Sequence, residues 1–142
     1  MAVNSAVDAL TIENNTFRNQ YNRGIYFGAD STAHVNGNFL VTDADTASTS
    51  YIGIQASDGA NVQNNRLELN SGQYGILAPN GDTSVNGAFI SGNVIRGSGL
   101  TTSIHCFGGT KNNHLIDNFV QVANGGQCGV DPNTETGTIT IF

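Results

Sequence analysis

Short apolar runs recur along the chain, each broken by the same polar signal. The pattern is aliphatic, two residues, Asn, one residue, apolar. It occurs as Ile12-Glu13-Asn14-Asn15-Thr16-Phe17, Val35 to Leu40, Val62 to Leu67, Ile90 to Ile95 and Leu115 to Val120. The key residues are Asn15, Asn38, Asn65, Asn93 and Asn118, at intervals of 23, 27, 28 and 25. A second pattern follows each Asn: Gly24-Ile25-Tyr26-Phe27, Gly53-Ile54-Gln55-Ala56, Gly75-Ile76-Leu77-Ala78, Ser103-Ile104-His105-Cys106 and Gly129-Val130-Asp131-Pro132. Two landmarks in constant order define a repeat, and β-type runs at a period near 25 residues indicate a solenoid of strands.

Each repeat supplies three short strands, two flanking the Asn and one at the Gly-Ile. The expected architecture is all-β, with equivalent strands of successive coils paired in parallel about 4.8 Å apart. Coils are expected over approximately 7–30, 31–59, 60–84, 85–111 and 112–137, with 138–142 starting a further strand. Ile12, Val35, Val62, Ile90 and Leu115 then stack in one core row, and Ile25, Ile54, Ile76, Ile104 and Val130 in another. The Asn has a structural role, because a sharp bend between strands favours a residue that tolerates left-handed geometry. Stacked amides can also hydrogen-bond along the solenoid axis. The sequon Asn14-Asn15-Thr16 belongs to that bend.

These repeats resemble the right-handed parallel β-helix of the pectate-lyase-like superfamily, with its asparagine ladder. The resemblance covers roughly residues 9 to 133 and implies a single-stranded right-handed parallel β-helix. It implies a secreted, cell-surface or virion setting and a polysaccharide partner, taken up along the Gly-Ile sheet as in tailspikes and polysaccharide lyases. Several signatures of the family's enzymes are missing: Trp-x-Asp-His, an Asp-Asp pair with Gly-His-Gly, Arg-x-Lys and Asp-Pro-His-Glu. Five coils span only about 24 Å. The alternating Thr138 to Phe142 ends on an apolar residue, which fits part of a longer chain or a homo-oligomer covering its ends.

Composition narrows the function. The chain has 142 residues, 19 Asn, 18 Gly and no Trp, and its formal charge is −6. Five basic residues against eleven acids oppose a nucleic-acid partner. No apolar run reaches the roughly 18 residues of a membrane span, and no signal peptide is visible.

Candidate chemistry concentrates near the Gly-Ile strands. Outward positions are expected at Tyr26, Gln55, Leu77, His105 and Asp131, and two residues before each Gly at Asn22, Tyr51, Gln73, Thr101 and Gln127. All four Tyr fall within three residues of a repeat's Gly. An aromatic ring beside amides suits a sugar, so Tyr26, Tyr51, Gln55 and Arg23 are the expected substrate-binding residues. Asp30, Asp58 and Asp82 lie in loops leaving this sheet, and Asp43 and Asp45 in a long entering loop. Asp43, Asp45, Asp30 and Asp58 are the first choice for acid–base cleavage, with His105 and Asp131, adjacent in register, the second. Carboxylates in loops also serve turns, and as oxygen ligands they make Ca²⁺ a candidate cofactor. A zinc site is not expected, because His34 and His114 fall about 14 Å apart. Cys106 is expected to be buried and about 13 Å from Cys128, too far for a disulfide.

The sequence therefore reads as a carbohydrate-active module that binds, and if catalytic cleaves, a polysaccharide. The alternatives are a structural or adhesin segment without catalysis, or a small solenoid that self-associates through its coil ends.

Overall fold

A strand of three to six residues cannot bury its apolar side alone, so each repeat must lean on the next. The computed structural model describes residues 1–3, 9–27, 32–43, 48–79, 87–106, 113–122, 135–136 and 139–141, and within these every strand pairing is parallel. The molecule is a parallel β-solenoid with three sheets. The first sheet contains β1 (Ala2–Val3), β4 (Arg23–Phe27), β7 (Ile52–Gln55), β10 (Gly72–Leu77) and β13 (Leu100–His105). The second contains β2 (Leu10–Glu13), β5 (Ala33–Asn36), β8 (Asn61–Gln63), β11 (Phe89–Ser91), β14 (His114–Ile116) and β16 (Glu135–Thr136). The third contains β3 (Thr16–Arg18), β6 (Phe39–Thr42), β9 (Arg66–Leu69), β12 (Val94–Gly97), β15 (Asn118–Val122) and β17 (Ile139–Ile141).

The expected core rows are in register. Ile12, Val35, Val62, Ile90 and Leu115 align across the second sheet. Ile25, Ile54, Ile76 and Ile104 align across the first, while Val130 lies outside the described residues. The third sheet adds Phe17, Leu40, Leu67, Ile95 and Val120. These side chains are buried apart from Phe17, which packs against the cluster from its edge. Each fully buried aliphatic contributes about 1.5–3 kcal/mol of transfer free energy, and one continuous column joins all the coils. Ala2–Val3 extends the first sheet beyond the expected strands, and Ile139–Ile141, within the strand expected over 138–142, extends the third.

The asparagine ladder is present. The Oδ1 of Asn65 accepts from the backbone N and the Nδ2 of Asn38, both at 3.0 Å. Its Nδ2 donates to Asn93 Oδ1 at 3.0 Å and to the Val35 carbonyl at 2.8 Å. Asn38 and Asn93 repeat that pattern, and Asn118 donates back to the Ile90 carbonyl. The left-handed bend, however, is not at the ladder position. It falls on the preceding residue: Asn14 (φ 57°), Gly37 (65°), Asn64 (53°), Gly92 (63°) and Asp117 (52°). The ladder Asn is then free to turn its amide inward, where both donors and its acceptor find partners. A Cβ on Gly37 would sit 2.6 Å from Asn14 Oδ1, and one on Gly92 would sit 2.6 Å from Asn64 Oδ1. Side chain and glycine therefore alternate along this corner.

Candidate functional site

The first sheet departs from strict alternation. In β4, β7, β10 and β13 the consecutive pairs Gly24-Ile25, Gly53-Ile54, Gly75-Ile76 and Ser103-Ile104 are buried, together with the adjoining Ile52 in β7 and Leu77 in β10. A Cβ on Gly24, Gly53 or Gly75 would lie 2.5–2.6 Å from the carbonyl oxygen of the next coil's equivalent residue. The strands approach one another too closely there for a side chain. The bend brings the residue before the Gly and the residue after the Ile to one outer face. Arg23, Ile52, Tyr74 and Thr102 align in one row, and Tyr26, Gln55, Leu77 and His105 in the other. Contacts between the rows confirm the shared face. The Arg23 guanidinium lies 4.3 Å from the centroid of the Tyr26 ring. Tyr74 and His105 stack with centroids 4.6 Å apart and planes within 10°.

Beside Arg23 and Tyr26 the surface opens into a hollow of about 500 Å³, lined by Met1, Ala2, Gln20, Tyr21, Asn22, Arg23 and Tyr26. Tyr21 is 70 % exposed. A smaller hollow of about 240 Å³ is lined by Asn22, Arg23 and Ser50, so Arg23 borders both. Two of the expected binding residues, Arg23 and Tyr26, thus stand together. Rings, amides and a guanidinium in one concavity can stack on an apolar sugar face and hydrogen-bond its rim. Among the described residues, those lining the two hollows include no carboxylate.

Tyr51 is a correction. It is 1 % exposed, and burial pushes its hydroxyl above the ordinary value of 10. The bend at Gly53 displaces the outward position to Ile52, and Tyr51 turns inward between two glycines. A Cβ on Gly24 would meet its hydroxyl at 2.8 Å, and one on Gly72 its Cβ at 3.3 Å. The expected outer position at Leu77 is likewise buried. Gln55 lies on the outer row but is half-buried, and its Oε1 is enclosed without a hydrogen-bond partner.

The two described candidate acids, Asp43 and Asp58, are held by hydrogen bonds to neighbouring coils. Asp43 follows β6 and is exposed; its Oδ2 accepts from Asn19 Nδ2 at 3.0 Å, while its own N donates to Asn19 Oδ1 at 3.1 Å. Asn19 is left-handed (φ 52°), and this reciprocal pair ties together the ends of β3 and β6 in successive coils. Asp58 follows β7, and its Oδ1 accepts from the Gly87 N at 2.6 Å. The two carboxylates precede and follow β7, at opposite ends of the strand. Asp30, Asp45, Asp82 and Asp131 lie outside the described residues. His105 is half-buried and stacked, and burial holds its imidazole below the ordinary 6.5. Its expected partner Asp131 is among those outside.

His34 and His114 sit on β5 and β14, with β8 and β11 between them. Among the described residues, no three His, Cys, Asp or Glu side chains group as a metal ion requires. Cys106 is buried in the core, and Cys128 lies outside the described residues. Sequence reasoning missed Gln20 as a hollow residue and the Tyr74–His105 stack. The signal for the latter was available: Arg23 and Tyr74 both immediately precede a repeat glycine.

Comparison with known proteins adds no relative: no family model matches the chain, and neither a curated protein nor a solved structure matches it. What stands is the architecture, a parallel β-solenoid with a ring-lined hollow at one edge of its first sheet.

Proposed function

We propose that this chain is a carbohydrate-binding β-helix module of the pectate-lyase-like kind, which takes up a polysaccharide on the outer face of its first sheet. The observation that carries the reading is the hollow of about 500 Å³, where Tyr21 and Tyr26 stand beside Gln20, Asn22 and Arg23. Ring faces supply the apolar contact, and the amides and guanidinium supply directional donors. Binding is favoured over cleavage, because the described carboxylates Asp43 and Asp58 are bonded to neighbouring coils at opposite ends of β7 instead of facing one another across the hollow. Acid–base cleavage needs two carboxyl groups flanking one bond.

The test is a panel of polysaccharides and oligosaccharides, read by calorimetry for binding and by new reducing ends and unsaturated products for cleavage. A saturable ligand is expected, without turnover. Tyr26→Ala should weaken that ligand by about tenfold, or about 1.4 kcal/mol. Product formation lost in Asp43→Asn would replace binding by catalysis. No ligand on a wide panel, with folded protein, would leave a structural solenoid segment as the reading.

A further inference from the structure

The smaller hollow beside the ring-lined one is built from hydrogen-bond donors. It holds about 240 Å³ and is lined by Asn22, Arg23 and Ser50, all of them exposed. A guanidinium, a carboxamide and a hydroxyl all donate, and the guanidinium is always charged. Among the described residues, no hydrogen bond or ion pair occupies the Arg23 guanidinium, the Asn22 carboxamide or the Ser50 hydroxyl. Arg23 is steadied by the Tyr26 ring, 4.3 Å from its guanidinium, a contact that consumes none of its N–H donors.

The backbone around this hollow is tied across two coils. The Tyr21 carbonyl accepts from the Ser48 N at 2.9 Å, and the Asn22 carbonyl from the Ile52 N at 3.0 Å. The Ser50 N donates to Ser48 Oγ at 3.2 Å. Asn22 and Arg23 therefore reach the hollow from one coil and Ser50 from the next. The chain has eleven acidic residues against five basic ones, yet none of the described acids lines either hollow. A cation among neutral donors, with no acid beside it, is a local anion site on an acidic chain.

We propose that the smaller hollow takes a tetrahedral oxyanion, a sulfate or phosphate ester, carried by the polysaccharide whose sugar ring occupies the larger hollow. The inference rests on the carbohydrate reading above and names the substrate class within it. Arg23 borders both hollows, so it stands where a charged substituent meets the sugar that bears it. A carboxylate has two oxygens in one plane, which a single guanidinium fork satisfies. A sulfate or phosphate monoester has three terminal oxygens around a tetrahedral centre, and these suit donors that arrive from two coils. At roughly 30 Å³ per water, the hollow has room for one such group with part of its hydration.

Calorimetry against one backbone with four substitution states tests this: dextran, dextran sulfate, phosphorylated dextran and carboxymethyl-dextran. The sulfated or the phosphorylated polymer should bind at least about tenfold tighter than both dextran and carboxymethyl-dextran, and the tighter of the two names the ester. Arg23→Gln should reduce that affinity to the level of dextran, with unchanged far-ultraviolet circular dichroism, since the side chain is exposed. Ser50→Ala should weaken the charged ligand by about threefold. Arg96→Gln removes a cation remote from the hollow, on β12, and should change nothing. Equal affinity for dextran and its charged derivatives overturns the inference and leaves the carbohydrate reading standing. Carboxymethyl-dextran bound as tightly as the two esters gives the hollow to a carboxylate and overturns it as well. So does a preference that survives Arg23→Gln, or one that Arg96→Gln abolishes equally. Failure of all four polymers to bind also overturns it, and the wider panel above then decides the carbohydrate reading separately.

Discussion

Each inner ladder asparagine is satisfied by groups from two neighbouring coils and by no group of its own turn. Asn65 joins the backbone and amide of Asn38, the carbonyl of Val35 and the amide of Asn93. Asn65→Ala would remove the acceptor of the Asn38 backbone N and take one hydrogen bond each from Asn38 Nδ2, Asn93 Oδ1 and the Val35 carbonyl, and an orphaned buried group costs about 1–3 kcal/mol. A loss of at least about 3 kcal/mol is expected in urea unfolding, with Asn15→Ala, at the exposed end of the ladder, costing less. The five ladder residues were legible because their spacing from an aliphatic residue never varies. Their conformation was not. Left-handed tolerance pointed to the ladder Asn, yet the bend sits one residue earlier, where Asn, Gly and Asp share the position. A chemical type that meets two needs in adjacent places does not say which place has which need.

At the level of the strand, the Gly-Ile element shows what alternation conceals. Its consecutive buried Gly-Ile or Ser-Ile pair shifts the outer face by one position. This shift explains why Tyr26 is found at the hollow and Tyr51 in the core, although both fell on expected outward positions. The glycine row itself was visible in the sequence, and its cause was not, since it depends on the carbonyl of the neighbouring coil. Gly53→Ala places a Cβ 2.5 Å from the Gly75 carbonyl oxygen and 2.8 Å from Leu67 Cδ2. Overpacking of this kind costs about 1–3 kcal/mol, and the upper end is expected because one of the colliding atoms is backbone. Thermal unfolding of the variant checks it; a melting temperature within 1 °C or so of the parent would mean that the strands can part without penalty.

Across the whole molecule, stability passes from coil to coil through sheet pairings, core rows and the hydrogen bonds of the inner ladder. The fold class and core rows could be read from a one-dimensional repeat because a solenoid maps sequence period directly onto space. The hollow could be read only in part, since it depends on where loops leave the sheet. One titration bears on global stability. His105 is held below its ordinary pKa by burial against Tyr74, so the folded chain takes up its proton less readily than the unfolded chain. The stability it contributes is complete above 6.5 and is lost as the pH falls through the folded value. His105→Gln should therefore flatten the melting temperature against pH just below 6.5, and an unchanged profile would place the sensitivity elsewhere. The corner before the ladder carries a final consequence. Asn14, Gly37, Asn64 and Gly92 succeed one another there, and each Oδ1 occupies space that a Cβ on the next coil would need. Removing the single coil that holds Gly37 would set Asn14 directly against Asn64, whereas removing the two coils that hold Gly37 and Asn64 would set Asn14 against Gly92 and preserve the fit. This corner has parity: along it the solenoid can lengthen or shorten without a clash in steps of two coils.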